Sequence, residues 1–273
     1  MNRRESTLLF VFLTAIFSLP WWYMSRVHGG AVYVTLLMWS PALAAVITCK
    51  VSGKPLDELG WRGAEWRMLA GAWSVMFAAI VLVHFIVFAL GLVQFPDPAG
   101  LAVRARSMAL EGAPASLAVI AYIVSAVSTR LIGLAGPALG EEIGWRGFLV
   151  PSLCGSFGFA RGSLLSGVIW AGWHFPLLIG RASFVQVLNF SLMVTGLAVA
   201  MAWFRLRSKS IWPSTVMHAL HNALVPAFIA LSARGEAADR WIDETGFALG
   251  AMGVMLAVVF LFLGTRRDPQ RTL

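Results

Sequence analysis

The sequence predicts an all-α fold, a polytopic membrane bundle of about eight transmembrane helices. Three observations carry that expectation. Hydrophobic residues make up 59% of the 273 residues and charged ones only 12%, about half the charged share of a soluble domain. Mean hydropathy is +0.77. The apolar residues also fall in runs of about 20, the length a helix needs to cross a ~30 Å hydrocarbon core. A surface so poor in charge needs lipid as part of its solvent. The chain is read as a single membrane domain over 1–273: three spans in 1–115, a core in 116–231, and an outer loop with the last span in 232–273.

The first run, 7–24, follows a charged start as a signal peptide would. It has no A-x-A-like cleavage site and runs into Pro20, Trp21, Trp22 and Tyr23, so it is expected to stay as a span with aromatics at the interface. The next runs are 31–49, 67–93 and one within 116–148, whose register Arg130 leaves open. Then come 163–180, 185–204, 211–231 and 246–264. A net charge of +8 could suggest nucleic acid, but no nucleic-acid-binding motif is present. The connections on the N-terminal side hold 13 Lys and Arg, Arg266, Arg267 and Arg271 among them, against 6 on the other side. The positive-inside rule then puts both termini in the cytosol of a cell-membrane protein, with membrane lipid as the partner of that charge. Cys49 and Cys154 show no metal or disulfide spacing and read as packing residues.

Ionisable residues inside apolar spans point to function. Glu142 and Arg146 are four apart, in the favourable acid-before-base order, and are expected to pair on one helix face. Glu141 lies about 100° around the helix, without that partner, in a state suited to acid/base work. The plainer alternative is two glutamates capping a helix end at the interface. Gly136, Gly140 and Gly144 form overlapping GxxxG spacings, followed by Gly147, and are expected to let neighbours approach closely. His174 lies mid-span, with Trp170 four residues before it on the same face. His218 and Asn222 are also four apart and present an imidazole beside an amide. His221 falls off that face and His84 stands isolated, so neither receives a role. With termini inside, His174 is 11 residues deep and His218 is 7, roughly 10–17 Å.

These residues carry a resemblance. EEIGWR (141–146) fits an EExxxR motif and HALHN (218–222) fits HxxxN. WAGWH (170–174) resembles an aromatic-xxxH motif, with tryptophan in place of phenylalanine. Taken in chain order, within an eight-helix membrane protein, they resemble the CPBP family of CAAX proteases and bacteriocin-processing enzymes, related to the type II CAAX prenyl endopeptidase. LLMWSPALAAVIT and LDELGWR are similar to the less specific upstream part.

The resemblance implies an intramembrane endopeptidase acting near the cytosolic face on a membrane-associated peptide or lipidated protein. Glu141 would activate water with help from His174, and His218 and Asn222 would stabilise the oxyanion. Glu142, Arg146 and Trp170 would support the site. Glu141, His174 and His218 with a water would also suit a catalytic zinc. No HExxH motif accompanies them, and a mechanism without metal is preferred. Nothing in the sequence specifies an isoprenoid or an oligomeric state. Two other function classes compete. A non-catalytic scaffold or bacteriocin-immunity protein of this fold would be free to lose Glu141 or His174. A proton-coupled transporter would show broken helices in repeated halves, which are absent.

Overall fold

The computed structural model describes residues 1–265, so Arg266, Arg267 and Arg271 lie outside the described residues. The described chain is helical, with no strand among those residues. Helix α1 (Arg3–Val27) opens on a capping box in which the Asn2 side chain accepts from the Glu5 backbone N–H, satisfying donors that a helix start leaves free. It continues through Pro20, so Trp21 and Trp22 belong to the helix itself. Helix α2 (Ala31–Ser52) closes on Gly53, whose φ of 69° is a left-handed conformation that glycine adopts without steric cost. A 3-10 turn (Leu56–Leu59) leads to α3 (Trp66–Ala89).

A short helix, α4 (Pro98–Ser107), occupies the connection that follows, capped by the Asp97 carboxylate on Gly100 N–H at 2.8 Å. Its Leu101 and Ala105 pack with Ala118 and Leu231, which explains why a connection between spans is helical at all: it buries an apolar edge.

The next helical run, Ala115–Leu178, is 64 residues long. At 1.5 Å per residue it would measure roughly 95 Å, three times the hydrocarbon core. It does not run straight. It comprises α5 (Ala115–Ser125), a π-turn (Ala126–Arg130), α6 (Leu131–Glu142), a second π-turn (Ile143–Leu149) and α7 (Val150–Leu178). Within α7, Gly158 leaves helical geometry at φ 75°, ψ 170°. A side chain placed at Gly162 would meet the backbone of Leu153 and Cys154. In a straight helix those residues would lie about 12 Å apart, so the chain doubles back at Gly158. Among the described residues seven helical runs are long and apolar enough to span a membrane, and one of them reverses at Gly158. The helical run that contains the expected fourth span, 116–148, therefore continues to 157 before it turns. The helix that holds the expected fifth span, 163–180, starts at 159.

Helices α8 (Phe184–Ser208), α9 (Trp212–Leu231), α10 (Glu236–Trp241) and α11 (Phe247–Thr265) complete the described chain. Helices α8 and α11 run side by side in the same direction, Asn189 beside Gly250 and Phe204 beside Phe260. A methyl group at Gly196 would run into the Gly253 carbonyl, so this contact needs glycine on both helices. Gly196→Ala is expected to cost about 1–3 kcal/mol and lower the melting temperature in detergent. Gly136→Ala, with nothing within 4 Å of the added methyl, should melt no lower than the parent. Equal melting of the two variants would show that the helices simply part to accommodate a side chain.

The bundle has two distinguishable ends. At one, Arg205 donates to the Glu58 carbonyl at 2.9 Å, Ile211 N–H bonds the Gly60 carbonyl at 3.0 Å, and Lys54 sits over the Phe148 ring. At the other, Arg26 donates to the carbonyls of Pro176 and Ile179, and Ala233 N–H bonds Gln94. The first end gathers the N-terminus and most of the lysines and arginines.

Candidate active site

The second π-turn falls directly after the two glutamates, where a single-turn widening of a helix often marks a functional site. Both carboxylates are buried, Glu141 at 2% and Glu142 at 0% exposure, within the helical run. They do not cap a helix end.

Each glutamate takes different partners. Glu142 Oε1 accepts from Arg146 Nη1 at 2.9 Å, the pair expected from their spacing, and also meets His218 Nδ1 at 2.9 Å. A carboxylate there fixes the proton on Nδ1 and leaves Nε2 facing away from it. Glu141 Oε2 accepts two indole N–H groups, from Trp145 at 3.1 Å and Trp170 at 2.6 Å. No donor among the described residues reaches its Oε1. The Arg146 guanidinium, fully buried, lies 4.0 Å from the centre of the Trp170 ring, a cation–π contact. Trp170 is thus held from both sides, by Glu141 at its N–H and by Arg146 at its face.

His174 stands one turn beyond Trp170. Its Nδ1 bonds the Trp170 carbonyl at 2.9 Å, so Nδ1 carries the proton and the Nε2 lone pair is free. Trp170 also meets the His218 ring edge-on at 5.3 Å. A cavity of about 70 Å³, bounded by Trp170, His174, His218, His221 and Asn222, lies before these groups, with apolar residues of α8 as its far wall. It has room for a few waters. Asn222 makes no side-chain hydrogen bond among the described residues, so its amide is available.

His174, His218, Asn222 and Trp170 therefore share one cavity. Glu141, Glu142 and Arg146 stand behind Trp170 and His218, joined to them by one hydrogen bond or ring contact, and are not in the cavity wall. Three of the four glycines admit close neighbours as expected. Gly140 and Gly144 seat α2, where a side chain would strike Met38, Trp39 and Pro41. Gly147 seats Leu59, and Gly136 faces open space.

His221, expected to fall off the face, lines the same cavity, with its Nδ1 buried and unpartnered. It is three residues from His218, and residues three apart on a helix are neighbours. His84 is also buried, stacked on Phe228 of α9, with Nε2 unpartnered. The sequence reading missed Glu244 as well, which comes from the connection before α11 and lines the cavity.

Among the described residues no three His, Cys, Asp or Glu side chains are grouped to hold a metal ion. The bonded oxygen of Glu141 faces indole N–H groups, which donate and cannot ligate, and Nδ1 of His218 is taken by Glu142. The atoms left free, Glu141 Oε1 and Nε2 of His174 and His218, are not gathered as a metal-holding group among the described residues.

Residues 123–224 match the family described as type II CAAX prenyl endopeptidase Rce1-like. Over 92 residues the chain is 33% identical to CAAX prenyl protease 2 of Methanococcus maripaludis, a stretch covering 30% of this chain and 34% of that protein. The chain thus spans about a third of the length of the curated relative it matches. The segment that matches the family contains Glu141, Glu142, Arg146, Trp170, His174, His218 and Asn222 together, so the part of the chain that builds this site is what is similar to the CAAX prenyl endopeptidases.

Proposed function

We propose that the chain is an intramembrane endopeptidase that hydrolyses a peptide bond of a membrane-associated or lipidated, CAAX-like substrate. The observation that carries the reading is the single cavity on which a free imidazole nitrogen, a carboxylate-held imidazole and an unpaired amide converge, with two carboxylates directly behind. The cell membrane is its site. The concentration of lysine and arginine at the N-terminal end supports both termini lying in the cytosol.

In this reading a water bridges Glu141 Oε1 and His174 Nε2. Glu141 takes its proton as the water oxygen attacks the scissile carbonyl. His218, protonated and held at Nδ1 by Glu142, donates from Nε2 to the oxyanion, with the Asn222 amide as second donor. The C–N bond then breaks and the amine leaves with the proton held on Glu141. Charge counting agrees. Two carboxylates against one guanidinium leave the buried cluster one positive charge short, which the proton on His218 supplies while Glu141 stays ionised as the base.

The two histidines lie at different depths. His218 is 6 residues past the start of α9 at Trp212, about 9 Å, and Glu142 is bonded to it. His174 is one helical turn above Trp170, which is bonded to Glu141. His174, 16 residues past the reversal at Gly158, lies two residues before Pro176 at the other end, so the cavity extends from the level of His218 toward that end.

The test is a proteomic comparison of membranes from cells carrying the parent chain or Asn222→Ala. The variant is expected to accumulate an uncleaved membrane protein or peptide, because removal of one oxyanion donor costs roughly 10²–10³ in turnover. Identical membrane proteomes, with both proteins present at equal level, would overturn the endopeptidase reading.

A further inference from the structure

Glu244 is a carboxylate on the cavity wall that this chemistry does not use. It lies between α10 and α11 and faces the space shared by His174, His218, His221 and Asn222. The segment that carries it is fixed in place. Asp243 N–H bonds the Ala238 carbonyl at 3.1 Å, and Asn189 of α8 donates to the Thr245 carbonyl at 3.3 Å. The start of α11 does not account for this acid. Asp243 serves there, its carboxylate accepting from Glu244 N–H at 2.8 Å and its carbonyl accepting from Gly246 N–H at 2.7 Å.

Among the described residues no hydrogen bond or ion pair holds the Glu244 side chain. Burial raises its carboxyl above the usual carboxylate range, Asp243 adds to the rise, and His218 opposes it. The facing wall on α8 is Phe190, Met193, Val194 and Leu197, which offers no counter-charge. A carboxylate so placed gains from a ligand that brings a positive charge, and a negative one beside it is repelled.

We propose that Glu244 is a specificity-determining residue: it receives a cationic group of the substrate, a lysine or arginine side chain or a free amine, close to the bond to be cleaved, and disfavours an acidic group there. The proposal rests on the endopeptidase reading and narrows its substrate to peptides with a basic residue beside the cleavage point. A free C-terminal carboxylate is correspondingly unwelcome at this end of the cavity.

The experiment uses the full chain in lipid nanodiscs and three lipid-anchored decapeptides that differ only in carrying Lys, Gln or Glu. The variable residue is scanned through the three positions on either side of the central bond. Binding is measured in the Glu141→Gln background, so that it is read without turnover. At the best position the Lys peptide is expected to bind about tenfold or more tightly than the Glu peptide. Glu244→Gln should bring that ratio near one, and Glu244→Lys should invert it, each variant being checked for an unchanged melt.

No binding, equal binding of the three peptides, or a ratio that survives Glu244→Lys would overturn the proposal. Cleavage of the same peptides by the parent chain is read separately. Charge-selective binding without cleavage would overturn the endopeptidase reading and leave Glu244 its role. Cleavage with charge-blind binding would do the reverse.

Discussion

Glu141→Gln is expected to lower turnover by about 10²–10⁴ while the protein still inserts and melts like the parent. The two halves of that expectation have separate causes. Glutamine keeps an oxygen where Glu141 Oε2 accepts the indole N–H groups of Trp145 and Trp170, so the buried hydrogen bonds survive and Trp170 stays in place. The amide has no basic lone pair to take a proton from water, so the chemical step loses its base. The measurement is single-turnover cleavage in nanodiscs beside a thermal melt. Glu142→Gln makes the informative comparison. It too removes a carboxylate but touches His218 instead, so it should weaken oxyanion stabilisation and also destabilise the fold by leaving Arg146 without its counter-ion. Near-parental turnover by Glu141→Gln would remove that residue from the mechanism, whatever Glu142→Gln does.

The sequence made part of this arrangement legible because part of it is local. The i,i+4 spacings announced Glu142 with Arg146, Trp170 with His174, and His218 with Asn222, and helical geometry alone puts each pair on one face. The same arithmetic could have found Trp145 on Glu141, four residues apart, and His221 beside His218. Neither stands out, because tryptophan in a membrane span reads as packing and a residue three positions on reads as off the face that His218 shares with Asn222.

What is not local stayed hidden. The bond from Glu142 to His218 joins residues 76 positions apart and needs the tertiary fold to exist. Glu244 lies in a polar connection where an acid is unremarkable until that connection is seen against the cavity. The passes were legible from apolar length. The reversal at Gly158 was not, since a glycine amid apolar residues reads equally well as a helix-packing position.

Arg146→Ala should be the most damaging single change to the fold, by about 3–5 kcal/mol, the range for breaking a buried ion pair from one side. Arg146 and Glu142 are both at 0% exposure, so no water replaces the lost guanidinium, and Glu142 keeps only His218. The Trp170 ring loses its cation at 4.0 Å and with it one of the two contacts that orient it. A fall of roughly 10 °C in the detergent melt would correspond to that energy. Arg146→Lys should recover part of it, because the charge is kept while the planar contact over the indole is not. The decisive variant is the double one. If the cost comes from a carboxylate stranded without a counter-charge, adding Glu142→Gln to Arg146→Ala should raise the melt above that of Arg146→Ala alone, a positive coupling in the double-mutant cycle. If the cost is only the volume of the lost side chain, the second substitution will lower the melt further. A parental melt for Arg146→Ala would mean that the pair does not brace the site at all.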